Sequence, residues 1–170
     1  MVLFKQLHFF CLFYSLLLLS STGATVAQEK PDFKVQTLKG EQIQLKELYA
    51  KGPTLIAFWA LWCEPCKIEL KALKSLYRKY QGKGFSLLTI NQDSPKSVAK
   101  VRAFVASQEI PFDVVLDPNG ELLQSFNGQS VPYSLLYDTT GHVAAKHIGY
   151  KQGDEKQIEN ELQKLLSKKE

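Results

Sequence analysis

The sequence predicts a single α/β domain with a mixed β-sheet, and three observations predict it. Short apolar runs alternate with longer stretches whose apolar residues recur every three or four positions, the order in which helices are buried against a sheet. The run Thr54 to Ala60 (TLIAFWA) follows Gly52-Pro53 and is almost free of polar side chains, as in a strand covered on both faces. The chain has 170 residues, 45% hydrophobic and 22% charged, which suits one core and excludes a disordered or fibrous chain.

Phe33 to Thr37 and Gln42 to Leu45 alternate with period two around Lys39-Gly40, which predicts an N-terminal β-hairpin. Thr54 to Ala60 is the central strand. A helical pattern runs from about Glu64 to Tyr80 and is stopped by Gly82 and Gly84. Phe85 to Ile90 is a second buried strand. Ser94-Pro95 reads as an N-cap and first-turn proline of a helix that places Val98, Val101, Phe104 and Val105 on one face. Phe112 to Leu116, the turn Asp117-Pro118-Asn119-Gly120 and a short helix or strand over Glu121 to Phe126 form a βα-type insertion. Tyr133 to Tyr137 and Val143 to Ile148 pair across the turn Asp138-Thr139-Thr140-Gly141. In the last helix Asp154 and Gln157 have capping-box spacing, and Ile158, Leu162, Leu165 and Leu166 form the apolar face.

The first 27 residues stand apart. Leu7 to Leu19 is an apolar run of 13 residues preceded by Lys5, shorter than the roughly 20 that cross a bilayer as a helix. Small residues follow, and Thr25-Val26-Ala27 approximates a small-x-small cleavage site. The layout is that of a signal peptide over 1–27, or of a retained N-terminal membrane anchor, with the folded domain over 28–170. Cys11 lies inside the apolar run without small neighbours, unlike a lipid-attachment cysteine. Export would leave Cys63 and Cys66 as the only cysteines, a redox arrangement in an oxidising compartment. A net charge of +4 is mild and gives no reason to expect a nucleic-acid partner.

Trp62-Cys63-Glu64-Pro65-Cys66 falls where the central strand passes into a helix. Cys63 at the helix start meets unpaired backbone N–H groups and the positive end of the helix dipole, which favour a thiolate on an exposed sulfur. Cys66, one turn inside, is within disulfide reach and less exposed. Pro65 lacks an N–H that a first turn leaves unpaired anyway. Cys63 is therefore the nucleophile and Cys66 the resolving thiol of a thiol–disulfide exchange pair. A purely structural disulfide would close too short a loop to stabilise much. Zinc needs two further ligands, and the chain has only His8, His142 and His147; c-type haem needs His where Lys67 stands. Glu64 puts a negative charge between the sulfurs, disfavours the thiolate and so favours a protein that reduces other disulfides. Glu69 shares a helical stripe with Cys66, Leu73, Leu76 and Tyr80, where a carboxyl among apolar neighbours has a raised pKa suited to proton exchange with Cys66. Lys67, Lys71, Lys74 and Arg78 form a basic stripe read as a solvated outer face. Phe58 and Trp59 are core, and Trp62 is an exposed partner contact.

FWALWCEPC, Glu69, the INQD that ends the next strand, LDPNG and VPYSLLYDTTG together resemble the TlpA/ResA-like exported thiol:disulfide oxidoreductases of the thioredoxin superfamily, over roughly Pro31 to Leu166. The resemblance implies a thioredoxin fold with the N-terminal β-hairpin and an insertion before the Val131-Pro132 turn. It implies a cis Pro132 facing the cysteines, with Val131, Pro132, Tyr133 and Trp62 contacting substrate. Thioredoxins carry a buried Asp at the position of Ala57, whereas TlpA-like proteins place an acid at the position of Glu69. Leu70-Lys71 stands where the family often has Pro, and Tyr133 replaces the commoner Thr or Glu. The implied chemistry needs no cofactor and no metal beyond the cysteine pair. The implied partners are a membrane electron donor of the DsbD/CcdA type and client proteins with disulfides, cytochrome c apoprotein among them, in the periplasm or another extracytoplasmic space. Rival readings are an oxidase or isomerase of the same fold, a thiol peroxidase, and a copper or zinc carrier using Cys63, Cys66 and a His.

Overall fold

A computed structural model describes residues 32–168. The expected export segment over 1–27 lies outside them, and no helix among the described residues is long and apolar enough to cross a membrane.

A small antiparallel hairpin, β1 (Lys34–Gln36) with β2 (Gln42–Gln44), precedes a five-stranded sheet. The sheet contains β3 (Thr54–Trp59), β4 (Ser86–Asn91), β5 (Asp113–Leu116), β6 (Tyr133–Tyr137) and β7 (Val143–Ile148) in the order β5-β4-β3-β6-β7. β3, β4 and β5 run parallel, while β6 is antiparallel to β3 and β7 to β6. The helices are α1 (Leu45–Lys51), α2 (Glu64–Tyr80), α3 (Val98–Ser107), α4 (Glu121–Ser125) and α5 (Glu155–Ser167). The mixed sheet, its helices and the front hairpin are those of the thioredoxin fold.

The two parallel crossovers, β3-α2-β4 and β4-α3-β5, step the same way across the sheet, so a common handedness puts α2 and α3 on one face. There Leu55, Ala57 and Trp59 of β3 pack with Cys66, Leu70 and Leu73 of α2, Val101 of α3, and Ile158 and Leu162 of α5. The other face of β3 sends Ile56 and Phe58 into a cluster with Leu45, Tyr49, Phe126, Tyr133, Leu135 and Tyr137. Phe58 is fully buried, and its truncation to Ala would cost about 3–5 kcal/mol.

Several local expectations change. The alternation through Leu45 does not extend β2. Leu45 opens α1 instead, because Leu45 and Tyr49, one helical turn apart, are both buried, and Leu45 N–H donates to Phe33 O at 3.1 Å. Pro95–Ser97 forms a 3-10 turn before α3, and the Ser94 hydroxyl caps nothing. Glu121–Ser125 is helical. Asp154 is already in helical backbone conformation and makes no capping bond; its carboxylate accepts Lys151 N–H at 2.8 Å. Gly52 and Gly84 lie so close that a Cβ on Gly52 would stand 2.0 Å from Gly84 O, which locks the turn entering β3 to the turn entering β4.

Candidate active site

Trp59 ends β3, and Cys63 is the N-cap residue of α2, with Cys63 N–H bonded to Ala60 O at 3.1 Å. Cys63 and Cys66 form a disulfide with Cα atoms 5.3 Å apart. Cys66 N–H donates to Cys63 Sγ at 3.3 Å, so the sulfur sits where the first turn of the helix presents its spare donors. Cys63 is less exposed than its place at the helix start suggests: it keeps 5% of its surface against 0% for Cys66. Cys66 is still the more buried of the two, but Cys63 itself belongs to the core cluster on the α2 face of the sheet. Trp62, beside it, is 71% exposed, while Trp59 and Phe58 are in the core. Glu64 and Pro65 are exposed in the first turn, and Glu64 pairs with Lys67 at 2.5 Å.

Glu69 lies one turn beyond Cys66 on α2 and is 2% exposed. Burial pushes its carboxyl up to about 7; the Ser134 hydroxyl, donating to Glu69 Oε1 at 3.2 Å, partly opposes this, and the Asp154 charge adds to it. Ser134 is paired in register with Ala57 across β3 and β6. The carboxyl on α2 therefore reaches the strand pair at the point where β3 carries only a methyl group.

The Val131–Pro132 bond is cis. Pro132 is buried, and it shares with Pro65, Ile148, Gly149 and Tyr150 an open cavity of about 430 Å³. Pro132 O accepts Gly149 N–H at 2.8 Å, and half-buried Val131 packs against the core clusters on both faces of the sheet. Tyr133 is turned away. It is 3% exposed on the opposite face of the sheet, its ring packs near Phe58, and its hydroxyl donates to Phe126 O at 2.8 Å. The side-chain alternation of β6 puts Ser134, not Tyr133, on the cysteine face.

A second carboxylate braces the site and carries no sequence motif of its own. Asp93, 6% exposed, accepts Leu61 N–H at 2.7 Å and Asn91 Nδ2 at 2.8 Å, while Asp93 N–H donates to Asn91 Oδ1 at 3.1 Å. This fixes the segment two residues before Cys63. Its signal in the sequence was only the INQD that ends β4. Among the described residues no group of three or more His, Cys, Asp or Glu is placed to hold a metal ion; His142 meets Thr140 and His147 meets Glu161.

Residues 26–146 match the AhpC/TSA family. A thiol-disulfide oxidoreductase ResA from Bacillus cereus is 33% identical over 140 residues, covering 82% of this chain and 78% of the relative. The chain belongs to the AhpC/TSA family, among its ResA-like thiol-disulfide oxidoreductases. Solved structures share the fold. StoA from Bacillus subtilis superposes with a TM-score of 0.64 at 27% identity, covering 78% of this chain and 97% of StoA. An uncharacterised thioredoxin-like protein from Porphyromonas gingivalis gives 0.69 at 27% identity, covering 82% and 93%. The activity is accordingly thiol–disulfide exchange, and Cys63–Cys66 is the cysteine pair available to it.

Proposed function

We propose that the protein is an exported, cofactor-free reductase of disulfides in client proteins, re-reduced by a membrane donor of the DsbD/CcdA type. Its clients include apocytochrome c, whose haem-attachment cysteines must be reduced. The observation that carries the reading is a cysteine pair capping α2 with a buried, protonatable Glu69 on the next turn.

The Cys63 thiolate attacks a client S–S bond, forming a mixed disulfide and expelling one client thiolate. Cys66 passes its proton to the ionised Glu69 carboxylate and attacks Cys63 Sγ. This closes the Cys63–Cys66 bond and releases the second client thiolate, which takes up a proton. The client gains two electrons and the protein loses two. Glu64, between the two cysteines in sequence, is exposed and pairs with Lys67, and the negative charge it still places beside Cys63 disfavours a thiolate there, which makes the protein a better electron donor. Trp62 and the Val131-Pro132 backbone form the contact surface for an extended client.

Cys66→Ser is the decisive variant, since it leaves Cys63 able to attack but unable to be released. Exposed to extracytoplasmic proteins, it retains clients through Cys63 as mixed disulfides that dithiothreitol cleaves. A folded variant that captures nothing overturns the reading. Equilibration with glutathione tests direction, and a potential at the oxidising end of the thioredoxin-superfamily range would make the protein an oxidase. The AhpC/TSA match favours a second reading, reduction of peroxides at Cys63; rapid consumption of hydrogen peroxide by the reduced protein would establish it.

A further inference from the structure

On the α2 face of the sheet β6 places two side chains, Leu136 in the apolar core and Ser134 against Glu69. A buried hydroxyl costs stability unless it is hydrogen-bonded, and Ser134, 1% exposed, gives its proton to Glu69 Oε1 at 3.2 Å. Strand register sets this bond. Ser134 lies opposite Ala57 of β3, whose methyl leaves room for the carboxyl, and opposite His147 of β7. The charged and titratable groups around the pair have partners of their own. His147 meets Glu161 of α5 at 2.8 Å, the Asp154 carboxylate at the start of α5 accepts Lys151 N–H, and Tyr150, between β7 and α5, donates to Glu155. Asp154 acts on Glu69 through its charge and opposes ionisation, whereas Ser134 touches the carboxyl and favours it.

We propose that Ser134 is a positioning residue for disulfide exchange, its hydroxyl holding the Glu69 carboxylate in the form that accepts the Cys66 proton. This role deepens the proton-exchange reading of Glu69 and rests on it. A buried carboxyl without donors keeps its proton, and a protonated Glu69 can take none from Cys66. Donation to Oε1 stabilises the carboxylate and leaves Oε2 to receive the proton. The hydroxyl therefore matters to one half of the cycle. Attack by Cys63 on a client disulfide draws on the helix start for its thiolate and needs no acceptor at Glu69. Attack by Cys66 on the mixed disulfide does need one. Without the hydroxyl the mixed disulfide lives longer, and the client is held where it would have been released.

The neutral 2,2′-dipyridyl disulfide separates the two halves. Mixed in equal amount with the reduced protein, it releases one 2-thiopyridone when Cys63 attacks and a second when Cys66 closes the disulfide. In the second step Cys66 gives its proton to Glu69 and its sulfur bonds to Cys63 Sγ. The displaced pyridyl sulfur leaves with its electron pair and takes up a proton, so two electrons and two protons pass from the thiols to the reagent. Stopped-flow absorbance resolves the phases. Ser134→Ala leaves the first unchanged and slows the second about fivefold near about pH 6, the worth of one hydrogen bond. Its midpoint moves up, and the two rates converge by about pH 9, where Glu69 is ionised in both proteins. Ser134→Thr keeps the hydroxyl and the wild-type profile, while Ser134→Val, of nearly the same volume as Thr, behaves as Ser134→Ala. In a Glu69→Gln background Ser134→Ala slows the second phase no further. A second-phase profile unmoved in Ser134→Ala and Ser134→Val, or both phases slowed alike at every pH, overturns the positioning role while Glu69 keeps its own. If Glu69→Gln leaves the second phase unaltered, the proton-exchange reading falls and the role of Ser134 with it.

Discussion

Two carboxyl groups flank the cysteine segment, and their surroundings differ more than their burial does. Asp93 is 6% exposed and accepts two N–H donors within 2.8 Å, one from Leu61 and one from Asn91. Glu69 is 2% exposed and receives a single hydroxyl at 3.2 Å. A buried carboxylate with several donors acts as a structural acceptor, whereas one nearly without them keeps its proton up to neutral pH. The donors around each group, more than its depth, separate a brace from a proton reservoir.

Glu69→Gln tests that contrast most directly. Because the Glu69 carboxyl rises from an ordinary 4.5 to about 7, the folded protein binds this proton more tightly than the unfolded chain. Ionisation therefore costs stability, nothing below about pH 4.5, increasingly as pH rises towards 7, and fully above it. Denaturant melts of the wild type and Glu69→Gln coincide at low pH and separate in favour of the variant by about 3 kcal/mol at pH 8. In the same variant, any limb of the pH–rate profile with a midpoint near 7 disappears. A stability gap independent of pH would mean that Glu69 is no reservoir.

Asp93→Ala probes the brace. It strips acceptors from Leu61 N–H and Asn91 Nδ2, and leaving buried donors unpaired costs about 2 kcal/mol of stability at pH 7. Loss of protection at the Leu61 amide in hydrogen exchange should accompany the lower denaturant midpoint. Ser134→Ala is the mildest change. Removing the Ser134 hydroxyl, which lowers the Glu69 pKa, moves the titration midpoint further up and costs about 1 kcal/mol at pH 8, read from the same melts.

What the sequence disclosed follows the range of its signals. Periodicity and a capping cysteine are local, and α2 runs from Glu64 to Tyr80 where the pattern put it, with Cys66, Glu69, Leu73 and Tyr80 on its buried stripe. The β-strands were legible for the same reason. The partner of Glu69 was not, because Ser134 is 65 residues away and reaches it only through the register of β6 on β3. The Asp93–Leu61 bond spans 32 residues and was equally hidden. α1 was missed because Gln42 to Leu45 alternates as a strand does, and only packing of Leu45 and Tyr49 on the sheet selects a helix. Tyr133 was placed in the site by its position after Pro132, but strand alternation sends it to the other face. The 5% exposure of Cys63 comes from its packing in the core cluster of the α2 face, a tertiary outcome that no local residue pattern encodes.

The two margins of the main sheet are not alike. Leu38 N–H donates to Val114 O at 2.7 Å and Thr37 bridges Val115, so the segment after β1 seals the β5 margin. Among the described residues nothing lies beyond β7, where Val143 and Ile148 are 51% and 70% exposed. Among the described residues, then, strand addition to this sheet is open at β7 and closed at β5. Two molecules pairing β7 to β7 would each use the one open margin of the five-stranded sheet, a contact between copies that closes at two.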